Sequence, residues 1–416
     1  MEVFPAKKRH QKQPSSSKQP PDAQHDAWER RMWIGNKTKG EETIRVMSYN
    51  VLADGLMKTH RKELYPDLPG YLLEWKERIK KIVEEIKRWK PDVINMQEVD
   101  RYEEIRSKLN NFGFEGCYLC RTGDKKDGCA TFWNTRKIKA VHRQSLRFRK
   151  EGLNDNVAIL NVFETKASRK RLVNGNVHVL FNPQRGEVKL GQLVCLFNTL
   201  EGLQSKYNAH GVVVAGDFNL GPESPLYEFV VEGKLDCVMH DRRHMSGQVV
   251  GQQRAKNLIA RFQAEENLVR SESSASERSI AHSSLSGSEA TGESKSFAQL
   301  GWDEERLQVA IGDATSFGET VAEHNLGLKS AYASFAEEPQ YTSLHNRFMG
   351  TLDYIFHTER LVPKRVLAVP DLNHLGPSHT RRPMLPSKHF PSDHISLVAE
   401  FVFAAKSAAS VPETDQ

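Results

Sequence analysis

Five short polar motifs close or interrupt apolar runs along this chain: Asn50 in MSYN, Glu98 in MQEVD, His178 in NVHVLFNP, Asp217 and Asn219 in GDFN, and Asp393-His394 in PSDH. Each follows or interrupts a strand-like stretch (TIRVMSYN, DVINMQE, GNVHVLF, GVVVAGDFN). A rigid strand giving way to a loop is where catalytic side chains are commonly presented. If the motifs form one site, Asn50 and His394 meet in one cleft, and the chain between them cannot divide into independent globules. Length alone, at 416 residues, would suggest more than one domain. The motif spread instead predicts a single large two-sheet α/β domain.

The residue types suit phosphodiester hydrolysis. That reaction brings water onto an anionic phosphorus while charge grows on the leaving oxygen, so it needs a cation, a water-orienting base and donors for the phosphoryl oxygens. Glu98 and Asn50 would supply a cation site, and Mg²⁺, with Mn²⁺ as an alternative, takes oxygen ligands of this kind. Asp217 would orient and deprotonate the attacking water. Asn219, two residues along and so on the same side of an extended segment, would donate its amide to phosphate. Asp353 in TLDYIF and His394 read as a pair in which the carboxylate favours the protonated ring. His178 would add a donor, and Asp393 a further metal contact. Taken singly, a Glu after a strand is usually a solvated strand end, a Ser-Asp-His is usually turn chemistry, and a lone His is usually structural. The joint occurrence, in order, reverses that reading.

Charge is less informative. The net charge of +6 includes an excess of three from residues 1–31, where seven Lys/Arg face four Asp/Glu, so the remainder is nearly balanced and bulk charge does not argue for nucleic acid. Lys166 to Arg171 (KASRKR) and Arg360 to Lys388, with Lys364, Arg365, Arg381 and Arg382, are local basic runs that would flank an anionic substrate; a solvated loop is the equal alternative for the first, while the second leads into the SDH motif. Five cysteines suit a reducing compartment, and the single CxxC of Cys117 and Cys120 lacks the partners of a zinc site. No apolar stretch approaches the ~20 residues of a membrane span. The opening MEVFPAKKRHQKQPSSSK lacks the apolar core of a secretory signal, while KKRHQK is a weak nuclear-import pattern. The expected location is the cytoplasm, with the nucleus as a second compartment.

Residues 1 to 40, rich in Pro, Ser, Gln and Lys, read as a disordered basic tail, and residues 41–404 as the catalytic domain. Leu72, Trp75, Ile79, Ile82, Val83, Ile86 and Trp89 recur at helical spacing until Pro91. Residues 128–134, 156–164 and 175–181 read as strands. Val188 to Leu203 reads as a helix with Leu190, Leu193, Val194, Phe197 and Leu200 inward, and GVVVAGDF as a buried strand. In the final strand, Ile395, Leu397, Ala399, Phe401 and Phe403 share a face by alternation. Residues 271–300 hold 11 Ser, and no aromatic falls in 271–296, so a disordered insertion over about 250–300 is expected, with folded character returning near Leu326. Residues 405–416 read as a frayed tail.

Together, these motifs resemble the endonuclease/exonuclease/phosphatase family of metal-dependent phosphodiesterases. MSYNVLAD, QEVDRYEE, DGCATFWN, DNVAILNVFE, HVLFNPQRGEVKLGQ, GDFNLGPESPLYEF, LDYIF and PSDHISLVAEF narrow the likeness to the carbon-catabolite-repressor-type deadenylases, in particular their plant homologues and the Angel proteins. The resemblance implies a two-sheet α/β sandwich flanked by helices, and Mg²⁺-dependent 3′-to-5′ removal of adenylate from RNA, with poly(A) as partner. It assigns Asn50 and Glu98 to the metal, Asp217 to the water, Asn219, His178 and His394 to phosphate, and Asp353 to His394. It places Asn156 and Pro183 in segments that line the substrate cleft. The chain has no leucine-rich repeats of the kind that dock yeast-type members to a deadenylase complex, and deadenylase or translation-related proteins are the expected partners. HVLFNPQRG follows the Angel-like and plant pattern, and some relatives of that kind act on 2′,3′-cyclic phosphates or on the 2′-phosphate of a nicotinamide dinucleotide. An aromatic such as Phe181 or Phe390 would stack a purine. A non-catalytic RNA-binding scaffold would be expected to have lost Glu98, Asp217 or His394, and all three are present.

Overall fold

In the strand Thr43–Asn50, Ile44 and Val46 point one way and Met47 and Tyr49 the other, and both sets are buried, so the strand needs cover on both faces. The computed structural model, which describes residues 31–272, 298–312, 319–375 and 382–404, supplies that cover with two packed sheets and outer helices. The first sheet has seven strands in the order Trp33–Gly35, Leu361–Leu367, Leu397–Phe403, Thr43–Asn50, Val93–Val99, Gly128–Asn134 and Phe114–Cys120. The second has six: Lys329–Ser330, Asp353–His357, Gly211–Asp217, Arg171–His178, Val157–Thr165 and Ile138–Arg147.

Each sheet contains one parallel pair, Thr43–Asn50 with Val93–Val99 and Arg171–His178 with Gly211–Asp217. Parallel neighbours need a crossover, which here includes the helices Trp75–Trp89 and Gly186–Lys206. The first sets Ile79, Ile82, Val83 and Ile86 against Met47, Ile94 and Met96, and stops at Lys90, whose left-handed backbone precedes Pro91. The second sets Leu190, Leu193, Phe197 and Leu200 against Val173, Val177, Val212 and Val214. Ile44, Val46, Val93, Trp133, Leu172, Val213 and Ala215 fill the space between the sheets. Leu397, Ala399, Phe401 and Phe403 join them by the expected alternation, whereas Ile395 precedes the strand and packs on the opposite side.

Further along the same inner faces, the apolar residues give way to amides. Asn95 and Asn174 exchange reciprocal 2.9 Å hydrogen bonds across the sandwich, and Gln97 Nε2 donates to Asn176 Oδ1 at 2.8 Å. Asn176 Nδ2 donates in turn to Ala130 O at 2.9 Å and to Thr131 Oγ1 at 3.2 Å. Buried amides are tolerated only when paired, so this ladder resists any sliding of one sheet over the other.

The expected element limits differ in four places. Residues 31–40 do not all belong to a tail: Trp33–Gly35 pairs with Leu361–Leu367, and Arg31 Nη1 donates to Glu85 Oε1 at 2.8 Å inside the core. The Trp33 ring is flanked by the guanidinium groups of Arg45 and Arg365, 5.2 and 4.2 Å from its centroid. Average composition hides such isolated anchors. The insertion does not begin at 250 either, because a helix spans Gln248–Glu272 and buries Ala255 beside Leu344 and Met349. Order likewise returns before Leu326, with Trp302 buried and Asp303 capping the helix Glu304–Ile311. The third strand-like stretch ends at His178 rather than Phe181, since the Leu180 N–H turns to Gln192 Oε1. The expected disorder of residues 1–30, 273–297 and 405–416 lies outside the described residues.

Candidate active site

Strand register alone gathers the first three site residues. Asp217 stands opposite Asp353 in the antiparallel ladder and opposite His178 in the parallel one, so all three project from the same face at the same level. Val213 and Ala215 precede Asp217 on that face and belong to the inter-sheet core. The polar end of the sandwich interior is therefore the floor of the site. From the other sheet, Ile44 and Val46 lead by alternation to Asn50, whose Nδ2 donates to Asp217 Oδ2 and to Glu98 Oε1, each at 3.1 Å.

Glu98 reaches this cluster through an irregularity. The ladder between Val93–Val99 and Gly128–Asn134 shifts register between Met96 and Val99, and Glu98 adopts φ +55°. Such left-handed residues cost about 1–3 kcal/mol and persist where packing enforces them. Leu52 and Asn219, at φ +57° and +51°, show the same geometry beside the site. Glu98 Oε2 accepts the Ala53 N–H at 3.1 Å, and Asn50 Oδ1 accepts the Leu52 N–H at 3.0 Å. Asn50 thus turns its amide nitrogen to the carboxylates, not its carbonyl, which differs from the metal contact expected of it.

The two imidazoles are driven to opposite charge states. Burial alone would deprotonate His394, but Asp353, Asp217 and Asp393 outweigh it and hold the ring well above its ordinary range. Its Nδ1–H donates to Asp353 Oδ2 at 2.7 Å, and its Nε2 lies 3.8 Å from Asp217 Oδ2. Asp353 is itself fixed by the Thr342 hydroxyl at 2.6 Å. His178, 3.5 Å from Asp217 through Nε2, is pushed well below its ordinary range by burial and by the charges of Arg121 and His394. One ring is a cationic donor and the other a neutral one. Burial and the neighbouring Asp353 raise Asp217, the property of a base poised for proton transfer near neutrality.

The remaining expected residues fall into separate roles. Asn219 bonds its amide nitrogen to Val179 O at 3.0 Å while its N–H donates to Asp217 Oδ1 at 3.0 Å, so it braces the base, and its side-chain amide is turned to the backbone and not to the phosphate position expected of it. Asp393 accepts the Tyr65 hydroxyl at 2.6 Å. Asn156 is buried and donates to His178 O at 2.9 Å, which places it behind the histidine rather than on the cleft wall. Pro183 lies partly exposed on the loop that follows His178. Phe390 is 1% exposed in the core and cannot stack on a base, whereas Phe181 on the Pro183 loop is 64% exposed. Of the basic runs, Arg169 and Arg171 both pair with Glu164 at a hairpin turn, Arg365 pairs with Glu400, Arg382 contacts Asp67, and Arg381 lies outside the described residues.

Several contributors carried no separate sequence signal. Arg121 and Asp127 form an ion pair that acts electrostatically on Glu98 and His178, with Asp127 directly preceding the GCATFWN strand. Tyr65 and Lys189 likewise stand out only once their partners are known.

The donor set fits a divalent cation. Burial, Asp393 and Asp127 push Glu98 up to about 7, and Asp217 is raised alongside it, an excess of negative charge that a bound cation would relieve. Asp217, Asp353 and His394 also bring ligand atoms within 4.8 Å of one another. Asp353 Oδ2 and His394 Nδ1 are engaged with each other, whereas Asp353 Oδ1 is buried without a hydrogen-bond partner, so the hard-oxygen candidates are Glu98, Asp217, Asp353 and Asp393. Among the described residues, no helix is long and apolar enough to cross a membrane.

Carboxylates and imidazoles gathered at the polar end of a two-sheet sandwich are the equipment of a hydrolytic phosphoesterase or nuclease. The chain belongs to the endonuclease/exonuclease/phosphatase family, whose model matches residues 47–394. Carbon catabolite repressor protein 4 homolog 3 of Arabidopsis thaliana is 36% identical over 94% of this chain and 83% of its own length. Protein angel homolog 2 of Danio rerio is 28% identical over 88% of this chain and 65% of its own length. Among solved structures, ANGEL2, described as a 2′,3′-cyclic phosphatase, superposes with a TM-score of 0.67 at 26% identity, covering 89% of this chain and 97% of that one.

Proposed function

We propose that this protein hydrolyses phosphodiesters at RNA 3′ ends with Mg²⁺, removing terminal adenylates and releasing 5′-AMP. One observation carries the hydrolytic reading: Asp217 stands between the rings of His394 and His178, 3.8 and 3.5 Å away, and the Asn50–Glu98 pair. Asp217 takes a proton from water while His394 and His178 donate to the phosphoryl oxygens, where charge develops. Glu98 would hold Mg²⁺, which supplies charge stabilisation for the leaving 3′ oxygen. The motif resemblance to the carbon-catabolite-repressor-type deadenylases supports adenylate RNA as the substrate.

The test is incubation of 5′-labelled oligo(A) with Mg²⁺. Shortening in one-nucleotide steps with release of 5′-AMP, blocked by a modified 3′ end, is expected. Internal cuts or nucleoside 3′-phosphate products would overturn the reading. The likeness to ANGEL2 supports a second reading on the same groups, removal of a terminal 2′,3′-cyclic phosphate. In that case the chain keeps its length and inorganic phosphate appears.

A further inference from the structure

We propose that Lys189 is a positioning residue for the catalytic carboxylate Asp217, a role that rests on the hydrolytic reading above. Lys189 lies in the helix Gly186–Lys206 with its side chain wholly buried. Its Nζ donates to Asn219 O at 2.7 Å, to Gln248 Oε1 at 2.7 Å and to Phe181 O at 3.5 Å. An ammonium has three protons, and here each meets an oxygen from a different segment: the turn after Asp217, the start of the helix Gln248–Glu272 and the loop after His178.

None of these acceptors is a carboxylate. A buried ammonium without a counter-ion is expensive, and burial pushes Lys189 down to about 7, offset in part by Asp217. A methionine would fill the same space without that penalty. What the amine adds is geometry. Asn219, whose carbonyl it holds, donates its own N–H to Asp217 Oδ1 at 3.0 Å, and Gln248 Nε2 reaches Asn219 Oδ1 at 3.3 Å. Lys189 therefore holds the carbonyl side of Asn219 while the N–H on the other side of its left-handed Cα holds the carboxylate that orients water, so the amine fixes the backbone that positions Asp217. The same amine pins the carbonyl of Phe181, the exposed aromatic ring beside the site.

The test compares full-length Lys189→Met, Gln248→Leu and Gln248→Glu with the parent, scaled to folded protein. Lys189→Met is expected to lower kcat about 10- to 100-fold with KM little changed, because misplacement of a catalytic group by an ångström is felt in turnover. Gln248→Leu is expected to show a smaller loss in kcat, and Gln248→Glu, which keeps an acceptor for the amine, to recover part of it. A kcat per folded molecule unchanged in Lys189→Met would overturn the proposal. Should that variant fail to fold, an unchanged kcat in Gln248→Leu would do so. Amide hydrogen exchange of residues 179–185 and 217–221, measured without substrate, decides the matter even if none of the tested RNAs is cleaved. Exchange is expected to quicken in Lys189→Met or, failing that, in Gln248→Leu, and unchanged exchange would refute the positioning role.

Discussion

His394 donates its Nδ1–H to Asp353 Oδ2 at 2.7 Å, and the two residues come from segments 41 positions apart. Burial opposes the charge on the ring, so the protonated state depends on Asp353 first and on Asp217 and Asp393 after it. Asp353→Asn should bring His394 down toward or below its ordinary range. The basic limb of the kcat profile should then move to lower pH, with the largest loss above neutrality, on the order of 10-fold or more. Stability has the same sign. The raised folded-state pKa contributes stability that is fully present below about 6.5 and lost as pH rises through the raised value. Chemical denaturation of parent and variant at pH 6 and pH 9 should show a larger gap at pH 6, and equal gaps would separate the two residues energetically.

Glu98→Ala removes the carboxylate that Asn50 and Ala53 orient toward the centre of the site. Activity should fall at least about 100-fold, the scale associated with losing one preorganised electrostatic contact. Because burial, Asp393 and Asp127 all disfavour an ionised Glu98, its removal should harm folding little, and circular dichroism should stay near that of the parent. Turnover retained by Glu98→Ala would dismiss the assignment.

Burial, Asp393 and Asp127 raise Glu98 to about 7, and Asp217 is raised too, so protons and a divalent cation compete for the same oxygens. A raised carboxylate pKa means that stability falls as pH climbs from the unfolded value of about 4.3 through 7, as the crowded groups ionise. Mg²⁺ offsets that repulsion only where they are ionised. Added Mg²⁺ should therefore raise the melting temperature more at pH 8 than at pH 5.5, and Glu98→Gln should diminish the difference. A shift independent of pH would place the cation elsewhere.

The motif residues were legible because catalysis needs particular residue types at the ends of apolar strands. Asn50, Glu98, His178, Asp217 and Asp353 come from five separate strands, and Asp393 and His394 share one segment just ahead of a sixth. The expected helices and most strands followed from apolar period, as in Ile79, Ile82 and Ile86. Other features were hidden for a physical reason: their role depends on a partner remote in sequence. Arg31 looks like part of a basic tail until Glu85 is seen beside it. Lys189 looks like a helix-surface lysine until three oxygens surround it. Asn156 immediately precedes the strand Val157–Thr165 and points its amide to the back of His178. Chemical type can be read locally, whereas orientation requires the packed structure.

The amide ladder between the sheets offers a test of how the site is held together. Asn50 and Glu98 come from one sheet and Asp217, His178 and Asp353 from the other, while Asn95 and Asn174 join the two below them. Asn174→Leu strands the buried Asn95 amide and should cost about 1–3 kcal/mol in urea unfolding. Replacing both partners with Leu removes the unsatisfied groups and should recover much of that loss, since two apolar residues can pack where a hydrogen-bonded pair was. Activity should not follow. Leucines set no preferred register, so the double variant should have lower kcat than the parent despite its recovered stability, because the Asn50–Asp217 contact at 3.1 Å depends on how the sheets are aligned. Full recovery of both stability and turnover would show that apolar packing alone sets the alignment of the two halves of the site.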